Sequence, residues 1–387
     1  MDEFYRMTPL EVASGWVGGY DEVDEHVFEE PEIEQSGDPL IVLEALLIPA
    51  LESPVCFIEF SGGRDSSAIL AVAVRAARRH GLTLPVPMTR VFPAVPESRE
   101  DEWQEKVLRH LGVEEWHRSE YTDEFDLLGP IACESLARHG LLWPPTIHTR
   151  NLVWKEAAGG TVVSGEGGDE ILGFRRITPL TALMAGEVVS RRMAVLTALK
   201  ALAPKPIRRQ LIARNLRENG DRSWLHPDAQ REFLSMQIQD RVSEPLWWDD
   251  ATRRHRHRRA DHLGLHNLRL SARIAGAAYL APLHTPIFLE TLARRGGRMG
   301  FAGRAAAMRE VFGDLLPQEL LERKTKAEFG GSFIGEYARD FMSKWEGDGL
   351  DDRLVDAAVL KREWAGARPH AGTMPLLHAA WLMQRSH

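Results

Sequence analysis

Cysteine is nearly absent. Only Cys56 and Cys133 occur in 387 residues, far apart and without a Cys-x-x-Cys pair, which excludes a cysteine zinc site and argues against a disulfide framework. Both read as small buried hydrophobes. Long apolar runs are missing too, and the start Met1-Asp2-Glu3-Phe4-Tyr5-Arg6 has no basic stretch leading into an apolar core. Neither a membrane span nor a signal peptide is indicated, and a cytoplasmic location is the expectation. Positive charge is not in excess: the formal net charge is −8, which argues against nonspecific nucleic-acid binding by the whole surface. The histidines show no metal-ligand spacing, and no internal repeat or low-complexity segment stands out.

What remains is a folded globular chain long enough for two domains, or for one with a helical extension. Residues 1–52 are rich in acids, as in Glu29-Glu30-Pro31-Glu32, and read as a short N-terminal arm. Residues 53–176 alternate apolar runs with amphipathic segments. Val55–Phe60 reads as a strand, Ser66–His80 as a helix, Val86–Phe92 as a strand, Arg99–Leu111 as a helix stopped by Gly112, Asn151–Ala158 as a helix and Thr161–Ser164 as a strand. This order implies an α/β fold with a parallel sheet flanked by helices, whose ligands bind at the carboxyl ends of the strands. In residues 177–387 strand signals are rare, so this part reads as a mainly helical C-terminal half packed around the same site.

Two glycine-rich loops fall at strand ends. In Ser61-Gly62-Gly63-Arg64-Asp65-Ser66-Ser67, glycines let the backbone approach an anion while N–H groups, hydroxyls and the following helix start point at it. That is a phosphate cradle, and it lacks the Gly-Lys-Ser/Thr ending of a Walker loop. An aspartate inside such a cradle repels its ligand unless a cation intervenes, so Asp65 implies Mg²⁺. The second loop, Ser164-Gly165-Glu166-Gly167-Gly168-Asp169-Glu170, sets three carboxylates at another strand end, where cation and substrate relieve their repulsion.

Together these loops resemble the synthetase domain of asparagine synthetases and of their relatives, the β-lactam synthetases and lasso-peptide macrolactam cyclases. The first motif is shared by many PP-loop ATP pyrophosphatases of the adenine-nucleotide α-hydrolase-like fold; the second, continuing to Ile171-Leu172-Gly173, is much narrower. The resemblance extends from about residue 53 to the mid 330s, more weakly in the helical half. It implies an ATP-dependent carbon–nitrogen ligase that adenylates a carboxylate, releases pyrophosphate and passes the acyl group to an amine or ammonia. By motif position, Asp65 and Asp169 would be Mg²⁺ ligands, Ser61, Gly62, Gly63, Ser66 and Ser67 the pyrophosphate cradle, and Gly165 a backbone contact to the nucleotide. Val91 matches a position whose backbone holds adenine, and Glu166 would face the acyl acceptor as a base or ammonium-orienting group. The segment Arg323-Lys324-Thr325-Lys326-Ala327-Glu328-Phe329 resembles the family's basic segment; Lys326, with Arg323 beside it, would supply the cation that the departing pyrophosphate needs.

The chain departs from that pattern twice. Asparagine synthetases begin, after the initiator methionine, with a cysteine of a glutaminase domain; here Asp2 follows Met1, so a glutaminase is not expected within this chain. Where the family reads roughly Ala-Arg-x-x-Gly-x-Glu-x-Arg-x-Pro-Phe-Leu-Asp, this chain runs Ala272-Arg273 to His284-Thr285, with Ala278, Leu280 and Thr285 at the Glu, second Arg and final Asp positions. A small zwitterion wants charged partners, since leaving a buried ion unpaired costs about 3–5 kcal/mol; a larger, less charged or peptide-like substrate fits better. Three readings stand: a ligase using ammonia, with a separate glutaminase as partner; a lactam or amide ligase of specialised metabolism acting on a small-molecule or peptide carboxylate, with a precursor peptide as partner; and an inactive nucleotide-binding scaffold. The run Arg253-Arg254-His255-Arg256-His257-Arg258-Arg259 reads as a solvated helix face rather than a nucleic-acid contact.

Overall fold

Five short parallel strands form the centre of the computed structural model, which describes residues 3–21, 36–187, 190–219, 222–323, 327 and 330–385. They are β1 (Cys56–Glu59), β2 (Val86–Val91), β3 (His117–Glu120), β4 (Thr161–Val163) and β5 (Ala278–Leu280), in spatial order β3-β2-β1-β4-β5. Phe57 aligns with Val86 on one side of β1 and with Val162 on the other. β1 and β4 are buried along their whole lengths, as expected for central strands covered on both faces.

One face is covered by the helices Pro39–Leu51, Arg64–His80 and Pro286–Gly296, whose apolar residues join Ile58 and Val163 in a single core. Arg64–His80 forms because Ala, Val, Ile and Leu recur at helical spacing on one side while Arg75, Arg78 and Arg79 fall on the other; Gly81, at φ 65°, ends it in the left-handed cap position. The other face is covered by the helices Asn151–Glu156 and Arg259–Ile274, with Phe57, Met88, Trp154 and Tyr279 in a second core. A third core lies away from the sheet, where Trp224, Phe233, Trp345 and Trp364 pack with Leu376 and Leu377.

The expected strands and helices before residue 176 are all present, each within two residues of its predicted ends. Two strands were not foreseen. β3 reads His-Arg-Ser-Glu, with no apolar run, and its alternately exposed residues form a polar sheet edge. β5 comes from the mainly helical half and supplies the strand beyond β4. The N-terminal segment is divided in its packing: the helix Pro39–Leu51 lies in the sheet core, whereas Ala13 of the helix Pro9–Ser14 joins the third core. Among the described residues no helix is long and apolar enough to cross a membrane.

Candidate active site

The strand order reverses between β1 and β4, which are neighbours in the sheet although β2 and β3 separate them in sequence. Such a reversal leaves a crevice at the carboxyl ends of the two strands, and both glycine-rich loops open into it. A cavity of about 370 Å³ lies there, a size suited to a small-molecule ligand.

The glycines are needed because the loops touch. A methyl group on Gly165 would lie 2.8 Å from the Ser66 backbone nitrogen, and one on Gly168 would overlap the Asp65 carboxyl group. Gly62, at φ +80°, is in the left-handed region, and a methyl there would lie 2.8 Å from Gln104 Cγ. Within the first loop the Ser61 N–H donates to Ser66 Oγ at 3.2 Å, the Gly63 N–H donates to Ser61 Oγ at 3.3 Å, and Ser66 Oγ donates to the Gly63 carbonyl at 3.2 Å. The loop is thus shaped by its own hydroxyls before any ligand arrives. Ser61, Gly63, Asp65, Ser66 and Gly165 line the cavity, whereas Gly62 lies in the turn itself and Ser67 is fully buried.

Asp65 and Asp169 are brought together by one residue that the sequence did not point to. Arg304, the first residue of the helix Arg304–Phe312, donates from one guanidinium nitrogen to Asp65 Oδ2 at 2.6 Å and pairs through another with Asp169 Oδ1. Burial raises the Asp65 pKa, Arg304 opposes that, and Asp169 adds to it. Asp65 Oδ1 is buried without a hydrogen-bond partner. An orphaned carboxylate oxygen beside a second carboxylate, in a crevice closed by glycines, fits a hard divalent cation such as Mg²⁺.

Behind the loops lies a buried charge network. Glu59, the last residue of β1, pairs with Arg150 and, at 3.1 Å, with Arg90. Burial by itself would raise the Glu59 pKa, but Arg150 and Arg90 override it and hold the carboxyl at about 2. Arg150 also lies 3.7 Å from Glu166, whose other oxygen accepts from Tyr279 Oη at 2.5 Å. Burial, reinforced by the Glu166 carboxylate, pushes the Tyr279 phenol well above its usual pKa, so Tyr279 is a donor that keeps its proton.

Among the described residues the cavity wall carries five arginines, Arg64, Arg90, Arg150, Arg304 and Arg323, against four acids, Glu59, Asp65, Glu100 and Glu166. That balance favours an anionic ligand. Arg323 is held by both Glu100 oxygens, one at 2.5 Å, and lies over the Trp103 ring with 4.8 Å to its centroid. Lys326 lies outside the described residues; on either side of it, Arg323 and Ala327 line the cavity. Val91 ends β2, and its carbonyl accepts from the Tyr121 N–H at 2.9 Å. Its neighbours Arg90 and Phe92 line the cavity.

Ala278, Leu280 and Thr285 do not line the cavity. Ala278 is exposed, Leu280 packs against the sheet core, and Thr285 is buried with its hydroxyl donating to the Pro282 carbonyl at 2.8 Å. The basic run is not a solvated face throughout. Arg253 pairs with Glu290 at 2.9 Å, Arg254 covers the Tyr20 ring, Arg259 pairs with Glu11 at 2.7 Å, and His255 is buried. Sequence reasoning missed Glu59, Arg90, Arg150, Tyr279 and Arg304. Arg150 had no signal beyond a lone charge before a helix, and Arg304 lies 239 residues from Asp65.

The family model described as asparagine synthase matches residues 52–383, which extends the resemblance well past the mid 330s. A comparison with curated proteins found no match.

Proposed function

Because the chain belongs to the asparagine synthase family of ATP-dependent amide-forming ligases, we propose that it adenylates a substrate carboxylate, releasing pyrophosphate, and then passes the acyl group to an amine. The observation that carries this reading is the contact of the two glycine loops at the sheet's reversal point, with Asp65 and Asp169 drawn together by the Arg304 guanidinium. In the first step a carboxylate oxygen bonds to the α-phosphorus of ATP and the bond to pyrophosphate breaks. In the second the amine nitrogen bonds to the acyl carbon, AMP departs and the amine loses a proton.

The chain's residues divide these tasks. Ser61, Gly63 and Ser66 offer hydroxyl and N–H groups to the phosphates, with the positive end of the helix Arg64–His80 behind them. Arg64, Arg304 and Arg323 line the same cavity and are proposed to stabilise charge on the leaving pyrophosphate electrostatically. Lys326 is proposed to add the cation nearest the reacting phosphorus. Mg²⁺, held by Asp65 and Asp169, would offset phosphate charge. Glu166, fixed by Tyr279 and Arg150, orients the incoming amine and accepts its proton.

The acyl donor is proposed to be a larger or less charged carboxylate than a free amino acid. Arg90 and Arg150 are already engaged with Glu59, and in sequence Ala278, Leu280 and Thr285 stand where the related pattern has charged residues. A lactam or peptide amide ligase fits this better than a ligase that adds ammonia to a small zwitterion. An inactive scaffold is disfavoured by the joint presence of Asp65, Asp169, Glu166 and Lys326. The test is carboxylate-dependent exchange of labelled pyrophosphate into ATP, with transfer of a carboxylate ¹⁸O into AMP. Formation of ADP and phosphate instead would overturn the adenylation reading.

A further inference from the structure

The second glycine loop is supported from behind by side chains that take no part in the proposed reaction. His284 ends the turn Pro282–His284, and a methyl group on Gly167 would lie 2.5 Å from its Nε2, so the imidazole packs directly on the loop. His255 ends the helix Trp248–His255, and Asp261 lies in the first turn of the helix Arg259–Ile274. The two imidazoles stack with centroids 5.8 Å apart, and His255 Nε2 stands 3.0 Å from Asp261 Oδ2. One nitrogen or carboxylate oxygen from each of the three residues lies within 4.8 Å of the other two.

The close pair is not a well-formed hydrogen bond. His255 Nε2 and Asp261 Oδ2 are both buried and, despite their separation, lack the angles for one. Buried polar atoms left so poorly aligned are destabilising. An ion beside them removes the cost: two ligands about 2.05 Å from a tetrahedral centre stand about 3.3 Å apart, close to the 3.0 Å between His255 and Asp261, and His284, within 4.8 Å of both, closes the site by a small rotation of its ring. Arg175, whose charge bears on His255, is itself faced by Glu244.

We propose that His255, Asp261 and His284 bind one divalent transition-metal ion of the Zn²⁺ class, distinct from the Mg²⁺ carboxylates, which pins two helices and a turn behind Gly167. Two imidazoles and one carboxylate select such an ion over Mg²⁺, which prefers oxygen ligands. Three protein ligands leave a fourth position for water. The ion holds in place the loop that carries Glu166 and Asp169. His284 stands where the related segment has leucine, which has no lone pair, so the site belongs to this chain rather than to the shared loop pattern.

Co²⁺ added to the full chain tests this, because a tetrahedral nitrogen–oxygen site gives cobalt an intense visible absorption. One equivalent is expected to produce that absorption and Zn²⁺ to displace it. The signal should survive in the double variant Asp65→Asn/Asp169→Asn and vanish in His284→Leu, where leucine fills the imidazole's space and far-ultraviolet circular dichroism checks the fold. His255→Gln serves if His284→Leu does not fold. A strong chelator should lower the melting temperature of the metal-loaded wild type and leave His284→Leu unmoved. No cobalt signal in the wild type, a signal that persists in His284→Leu, or one lost only in the aspartate double variant would each overturn the proposal. These readouts are independent of ligase activity, so they stand or fall separately from the proposed reaction.

Discussion

The α/β half and the helical half equip the cavity in different ways. The first does so with contiguous loops, Ser61–Ser66 after β1 and Ser164–Gly168 after β4, whose shape follows from glycines and local hydroxyl contacts. The second contributes single side chains from distant points: Tyr279 on β5, Arg304 at a helix start and Arg323 after the helix Gln318–Glu322. The lesson is that the backbone cradle is local, whereas the guanidinium that bridges its two aspartates is imported.

If the local half forms the metal and phosphate site, Asp65→Ala or Asp169→Ala should abolish pyrophosphate–ATP exchange, a loss of at least about 100-fold by comparison with removal of other electrostatic stabilisers. Unchanged exchange would remove that residue from the metal site. Lys326→Ala asks whether the helical half reaches the reacting phosphorus. Nucleotide binding by calorimetry should persist while turnover falls about 100-fold, and an active variant would move the catalytic cation elsewhere. Gly165→Ala probes the loop contact itself. Its methyl group meets the Ser66 nitrogen, so ATP affinity should drop by about tenfold or more, equivalent to roughly 1.4 kcal/mol, with melting temperature as the control.

Glu59→Gln addresses stability beneath the cradle. Removing one partner from a buried ion pair costs about 3–5 kcal/mol, which urea denaturation measures. Because the folded Glu59 pKa is depressed to about 2, its contribution is fully present above the unfolded carboxyl value of about 4.3 and is lost as pH falls towards 2. The variant should therefore show a shallower loss of stability between these values than the wild type. Tyr279→Phe bears on one step of the reaction alone. It removes one hydrogen bond to a carboxylate, worth about 1.5–3 kcal/mol, and should lower the acyl-transfer step while sparing pyrophosphate exchange. Equal losses in both steps would place Glu166 in adenylation instead.

Most strands and helices of residues 53–176 were legible because their apolar spacing and glycine stops are local signals, though the helix Pro130–His139 was not expected. β3 was hidden because an edge strand needs no apolar face, and β5 because its three residues sit in a helical context. Among site residues, Asp65, Glu166, Gly165 and Asp169 were legible from the loops that hold them. Arg150, Arg304 and Glu59 were not, since a buried charge is recognisable only by its partner, and Glu59 and Arg150 are 91 residues apart. The same applies to His255, Asp261 and His284, whose spacing along the chain suggested no metal site.

Sequence alone determined the two glycine loops, their place at strand ends and the serines and carboxylates they carry, because turn geometry and residue type are encoded within a few neighbouring positions. Tertiary structure decided that the loops meet, that Arg304 bridges Asp65 and Asp169, that Glu59 remains ionised in the interior and that two histidines and an aspartate converge behind Gly167. Those outcomes depend on which distant segments the sheet order and helix packing bring within a few ångströms, and no local pattern specifies that.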